Sequence, residues 1–277
     1  HRSTASVGVV VVCDDREPVD ELLRRADQAM YQAKNGGRDG VMVASGAVGG
    51  AAISPGEDLV IALREGQLRL TLRTEVDAAG RENGAAVTLC WPGPSGPQIA
   101  GGELLALAER CGLMPVVEAW LLERCAAILV RWSSTPARAD YRLALPLARQ
   151  QLHDPQFCGR LLAVLDAHGC RADRLVLELP QAGFDGSEAS ANIEVLRAAG
   201  VRVVLTDFGL DASSFGLLRK LVLDGVSLDP RLVHGATGST VDAALIRSML
   251  GLADSLGLSV VAEGVADHEQ QVLLTAV

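Results

Sequence analysis

From Leu68 onward the chain alternates short apolar runs with segments of helical periodicity, and that alternation constrains the fold more than any other feature. The candidate strands are Leu68–Arg73, Ala85–Trp91, Tyr141–Leu147, Leu175–Leu179, Val201–Asp207, Gly225–Asp229 and Leu258–Glu263. Helical patterns fall between most of them, at Gly102–Gly112, Val116–Trp132, Asp154–His168, Ser187–Ala199, Ser213–Val222, Ser239–Leu256 and Asp267–Ala276. Continuous Val/Leu runs are strands covered on both faces, and short loops between strand and helix make βαβ units. So many units in succession predict an α/β fold closed into a (β/α) barrel rather than an open sheet.

A chain of 277 residues, 49% hydrophobic and 21% charged, can bury a full-size core with a smaller part beside it. The formal charge of −9 and the absence of a basic stripe argue against a nucleic-acid face, which needs clustered Lys and Arg to release counterions. With 3% aromatics there is no stacking platform for bases either. The six cysteines form no C-x-x-C pair and most sit among apolar neighbours, so they read as packed thiols in a reducing, cytoplasmic compartment. No apolar run reaches the ~20 residues of a membrane helix. An upstream membrane span or sensor domain stays open, because the chain begins in mid-strand.

Before Leu68 the composition changes twice. A β-rich stretch, Ser3–Val12, precedes a helical pattern over Val19–Asn35 that closes at Gly36-Gly37, as a helix C-cap does. Ala44–Ala52 is built of Gly, Ala, Ser and Val, the make-up of a linker. Ser54-Pro55-Gly56-Glu57 then reads as a capping box with Pro at the first helical position. The expected organisation is residues 1–43, a linker 44–53, and a large domain 54–277. The segment Glu21–Asp39, with Ala5-Ser-Val-Gly-Val before it, resembles the last helix and preceding strand of GGDEF domains, so residues 1–43 are expected to be the C-terminal strand-helix piece of such an α+β domain.

Glu178, Asp207, Asp229 and Glu263 all fall at the carboxyl ends of predicted strands, the face on which barrel enzymes assemble their chemistry. Four convergent carboxylates imply a divalent cation; any one alone reads equally well as a cap on the following helix.

Three further stretches carry a resemblance. Arg197–Gly209, Val226-Ser-Leu-Asp-Pro-Arg-Leu-Val and Leu258-Ser-Val-Val-Ala-Glu-Gly-Val-Ala are similar to the motifs of EAL domains, the cyclic di-GMP phosphodiesterase family, and Gly101–Leu113 and Leu143–Phe157 are similar too. The resemblance spans Glu57–Val277 and implies a (β/α)8 TIM-type barrel whose last strand lies beyond Val277. It implies hydrolysis of one phosphodiester by water activated between two Mg²⁺ or Mn²⁺ ions, hard cations that need several carboxylates and an amide.

Carried over position by position, that set is depleted. The Glu of the family's Glu-Ala-Leu triplet falls on Ala86 and the Arg after it on Cys90. The Asn ligand falls on Pro146, the first central aspartate on Thr206 and the catalytic Lys on Ser227; Gln181 and Ala266 stand where companion glutamates would be. The Gly-Thr-Gly-Tyr-Ser loop, tied to dimer contacts, reads Gly209-Leu-Asp-Ala-Ser, and the Tyr-Gln-Pro of the guanine site reads Leu72-Arg73-Thr74. Glu178, Asp207, Asp229 and Glu263 remain.

The resulting expectation is an EAL domain without catalytic residues, metal or cofactor, acting as a regulatory or protein-interaction module in cyclic di-GMP signalling. Family precedent supplies candidate partners, namely a PilZ-type protein or a second copy in a homodimer. One alternative is a cyclic di-GMP receptor that binds without hydrolysis, with Arg73 as a ligand contact; another is an active phosphodiesterase. His153, His168, His234 and His268 show no metal-ligand spacing and read as surface residues, while Trp91, Trp120 and Trp132 read as core.

Overall fold

A computed structural model describes residues 7–10, 23–24, 26–27, 30, 41–44, 55–92, 98–181, 187–209 and 213–275. The chain divides into two compact units, His1–Ser54 and Pro55–Val277. In the first, β1 (Val7–Val10) pairs in parallel with β2 (Val41–Ala44). Sequence patterning missed β2, a four-residue strand too short to separate from the Gly/Ala/Ser run after it. The expected C-cap at Gly36-Gly37 and most of the capping box at Ser54 lie outside the described residues.

The second unit opens with α1 (Pro55–Arg64), then β3 (Arg69–Val76) and β4 (Glu82–Trp91). These two strands form an antiparallel hairpin. Its turn is organised by Asp77, whose Oδ1 accepts the N–H groups of Ala79 and Arg81 at 2.9 Å while Gly80 takes φ 76°. The bridge β5 (Ile99–Ala100) lies on β4, followed by α2 (Gly101–Arg110) and α3 (Met114–Ser133). The remaining strands β6 (Arg142–Pro146), β7 (Leu175–Leu179), β8 (Arg202–Phe208), β9 (Gly225–Leu228) and β10 (Ser259–Ala262) are parallel to their neighbours. The connecting segments carry α4 (Arg149–His153), α5 (Phe157–Ala167), α6 (Ser187–Ala198), α7 (Ser213–Lys220), α8 (Pro230–Gly235) and α9 (Thr240–Ser255), and α10 (His268–Thr275) follows β10. Ser239 caps α9, its Oγ accepting the Asp242 N–H at 3.2 Å.

Strand order along the sheet is β10-β9-β8-β7-β6-β4-β3. This is the wall of an α/β barrel, and its two end strands approach each other closely enough for side chains to meet, as described below. Alternation along each strand sorts the residues by face. Leu143 and Leu145, Leu175 and Leu177, Val203 and Leu205, and Val226 and Leu228 point outward into one apolar cluster with Leu121, Cys125, Leu129, Phe157, Leu161, Ile193 and Leu196 from the helices. The residues between them, Arg142, Ala144, Val176, Glu178, Arg202, Val204 and Ser227, line a cavity inside the wall. A second cluster of Leu59, Leu89, Trp91, Leu104, Met114 and Val117 joins α1, α2 and α3 to β4.

Trp91 and Trp132 are core, as expected, whereas Trp120 is only partly buried. It sits at helical spacing on the edge of the buried face of α3, with the Arg124 guanidinium 5.6 Å from its ring centroid. Among the described residues five cysteines are free thiols, and burial pushes the Cys125 thiol up to about 12. No helix among the described residues is long and apolar enough to cross a membrane.

This facing makes a direct test. Leu177→Ala removes a fully buried side chain between sheet and helices and should cost about 2–5 kcal/mol in a urea melt. Val176→Ala, one residue away but lining the cavity, should cost clearly less; equal losses would contradict the assigned faces.

Candidate functional site

The inner face carries the polar residues because the outer face is spent on the core. Arg73 and Glu75, two apart on β3, share that face. In the antiparallel register Arg73 stands opposite Ala86, and Ala86 in turn pairs with Ala144 of β6. Pro146 ends β6 beside Glu178 of β7. Thr206 near the end of β8 donates its hydroxyl to the Leu179 carbonyl at 3.1 Å.

Four carboxylates predicted from the sequence gather here, in three different states. Glu263, just past β10, meets Arg73 with Nη2 to Oε2 at 2.7 Å, and its Oε1 accepts the Ser227 hydroxyl at 3.2 Å. Both its oxygens are therefore engaged. Asp229 is 2% exposed and follows β9. Its Oδ1 accepts the Arg231 N–H at 2.8 Å, making it the N-cap of α8, and the Arg231 guanidinium closes on Oδ2 at 2.6 Å. The Arg231 side chain holds this carboxyl below the usual carboxylate range.

Among the described residues no ion pair reaches Glu178 or Asp207, although the Thr206 side chain hydrogen-bonds to the Asp207 carboxyl. Burial, reinforced by the negative fields of Glu263, Glu75 and Asp207, pushes the Glu178 carboxyl up to about 7, against the opposing pull of Arg73. Asp207 is exposed, yet partial burial of its carboxyl and the nearby Asp229 and Glu263 charges raise it as well, with Arg231 opposing. Its backbone is left-handed, at φ 55°, the one non-glycine residue of that kind among those described. The Gln181 amide donates to its carbonyl at 2.6 Å and fixes that geometry. Gly209 then turns at φ 120° in a space where a Cβ would lie 2.6 Å from the Met249 Sδ and 2.8 Å from Leu232.

Glu75, Arg231 and Gln181 belong to this constellation and were not singled out as contributors. Glu75 was findable, since period-2 alternation puts it on the face of Arg73. Burial raises its carboxyl too, with Arg73 and Arg142 pulling the other way. Among the described residues no three His, Cys, Asp or Glu side chains are arranged so as to hold a metal ion. His168 and His234 are exposed and bonded to Glu123 and the Pro230 carbonyl respectively.

Comparison with known proteins gives this geometry a family. The EAL domain model matches residues 57–277, most of the chain. The chain belongs to the EAL domain family. Residues 1–40 match the diguanylate cyclase GGDEF domain, so a GGDEF segment precedes the EAL domain. The chain is 30% identical over 280 residues to the bifunctional diguanylate cyclase/cyclic di-GMP phosphodiesterase MucR of Pseudomonas aeruginosa, covering 99% of this chain and 41% of MucR. It is 28% identical over 277 residues to the cyclic di-GMP phosphodiesterase NbdA of the same organism, covering 98% of this chain and 35% of NbdA. The chain thus spans less than half the length of these curated relatives. Among solved structures, the MucR phosphodiesterase in complex with cyclic di-GMP superposes with a TM-score of 0.72 at 29% identity, covering 79% of this chain and 90% of that one. The FimX EAL domain of Pseudomonas aeruginosa superposes at 0.68 with 18% identity, covering 80% and 90%, a likeness of fold.

The EAL domain should titrate near neutrality. A carboxyl raised in the folded state binds its proton more tightly there than in the unfolded chain, so Glu178 makes the fold less stable as pH rises from about 4.5 to about 7. Carbon-detected NMR of the Glu178 carboxyl should give a midpoint near 7. Arg73→Gln, which removes a cation that lowers it, should move the midpoint upward; a downward move would contradict the described field.

Proposed function

We propose that this EAL domain is a catalytically inactive regulatory module of a cyclic di-GMP signalling protein, working through protein contacts rather than hydrolysis. The observation that carries the reading is the fate of the retained carboxylates: Asp229 is spent on Arg231 and the α8 cap, and Glu263 on Arg73 and Ser227. Around them Ala86 offers a methyl group, and Pro146 offers neither a side-chain oxygen nor an N–H. These residues do not fit a pair of Mg²⁺ or Mn²⁺ ions, which need oxygens free to coordinate. With Ser227 in place of the family's Lys, no basic group stands at that position to activate water. The partners that the reading admits are a PilZ-type protein or a second copy of the domain.

A second reading, a receptor that binds cyclic di-GMP without cleaving it, is favoured by one comparison, the cyclic di-GMP complex of the MucR phosphodiesterase at 29% identity. Against it stands the charge of the pocket, where a dianionic ligand would meet Glu178, Asp207 and Glu263 with Arg73 already engaged.

Two measurements test the readings. Incubation with cyclic di-GMP and Mn²⁺, followed by chromatography, should yield no linear dinucleotide; a linear product formed in proportion to protein would sink the inactive reading. Calorimetry with cyclic di-GMP should show no saturable binding, whereas micromolar binding lost in Arg73→Ala would establish the receptor instead.

A further inference from the structure

The cavity inside the barrel wall does not end at the carboxylates. Its volume is about 150 Å³, and it extends to the amino-terminal ends of the strands, where Arg142 opens β6, Arg202 opens β8 and Asn83 lies near the start of β4. Glu178 and Asp207 belong to the opposite, carboxyl ends. β7 alone separates the two arginine-bearing strands, so their backbones stand about 10 Å apart across the sheet, within reach of two extended side chains. Neither guanidinium makes an ion pair or hydrogen bond among the described residues, and the Asn83 side chain likewise has no recorded partner. Ser259, also at this mouth, is committed to the Asp224 carbonyl at 2.9 Å.

We propose that the amino-terminal mouth of the barrel is a separate binding site in which Arg142, Arg202 and Asn83 hold a free inorganic oxyanion of the size of phosphate or sulfate.

Charge and size both point to that class. Guanidinium forks match tetrahedral oxyanions and bind them through charge-assisted hydrogen bonds. The carboxyls that share the cavity are Glu75 and Glu178; burial raises both, Glu178 to about 7, so at and below neutral pH Glu178 offsets the two arginines only in part. Beyond the lining, Glu263 and Asp207 face Glu178 paired with or opposed by Arg73 and Arg231, Asp173 lies in the field of Arg142, and Asp224 lies in that of Arg202. A cavity of about 150 Å³ has room for an oxyanion of a few heavy atoms together with solvent.

Sulfate is the probe of choice because its charge is constant across neutral pH. Titrating the 277-residue protein with sodium sulfate at low ionic strength should show saturable binding by calorimetry, tighter as pH falls through 7, as Glu178 takes up its proton. Arg142→Gln and Arg202→Gln should each weaken it by about tenfold, the loss of one charge-assisted contact. On the unsubstituted protein, the Nε–Hε resonances of Arg142 and Arg202 should shift with sulfate, which keeps the test valid should a variant fold poorly. Cyclic di-GMP should not displace the ion, since its family site lies at the other face. Absence of saturable binding, affinity unchanged in the double variant, or displacement by cyclic di-GMP would each overturn the proposal.

Discussion

Carboxylates enclosed by a barrel wall need positive charge beside them, and the Arg73–Glu263 pair supplies it here. Arg73 lies on β3 and Glu263 just past β10, the two ends of the sheet path, so the same contact that balances charge also brings the ends of the wall together. As a half-exposed pair it contributes little directly, roughly 0–1 kcal/mol. Its larger effect is on its neighbours: Glu178 and Glu75 both feel Glu263 as repulsion and Arg73 as relief. Arg231 serves Asp229 and Asp207 in the same way on the other side of the site.

That arrangement is possible because the core lies outside the wall. Leu143, Leu175, Leu177, Leu205 and Leu228 are each at most 1% exposed, against helices rather than against one another across the barrel. The inner face is thereby released from packing and can hold charge. Arg174 shows how strictly polar groups are treated where the core does close. It is 3% exposed, and its guanidinium is bonded to the Tyr141 carbonyl, the Ser133 hydroxyl and the Arg138 carbonyl, all neutral acceptors.

The parallel strands of the larger unit were legible because they are short apolar runs between helical patterns, whereas the two-residue β5 was too short to show in the sequence. The antiparallel hairpin of β3 and β4 was not legible either, since nothing in the alternation of Arg69–Val76 states direction, and its turn is set by Asp77 contacts that only form in three dimensions. Of the site, the four carboxylates were visible at strand ends, and the capping role considered for any one of them is the role Asp229 has. Their charge states were not visible. The partner of Glu263 lies nearly the whole unit away in sequence, and the elevation of Glu178 comes from burial and from three other carboxylates that the fold brings together. Trp120 misled because helical spacing locates a face and not its edge.

The separation of Arg73 from Glu263 along the chain has a consequence during synthesis. At about 5–20 residues per second a ribosome delivers β3 roughly 10–40 s before the residue that neutralises it. The hairpin of β3 and β4 can form at once, being local, but the wall gains its last electrostatic clasp only when β10 has emerged. Throughout that interval the nascent domain carries an inward-facing arginine whose eventual counter-charge has not yet been translated.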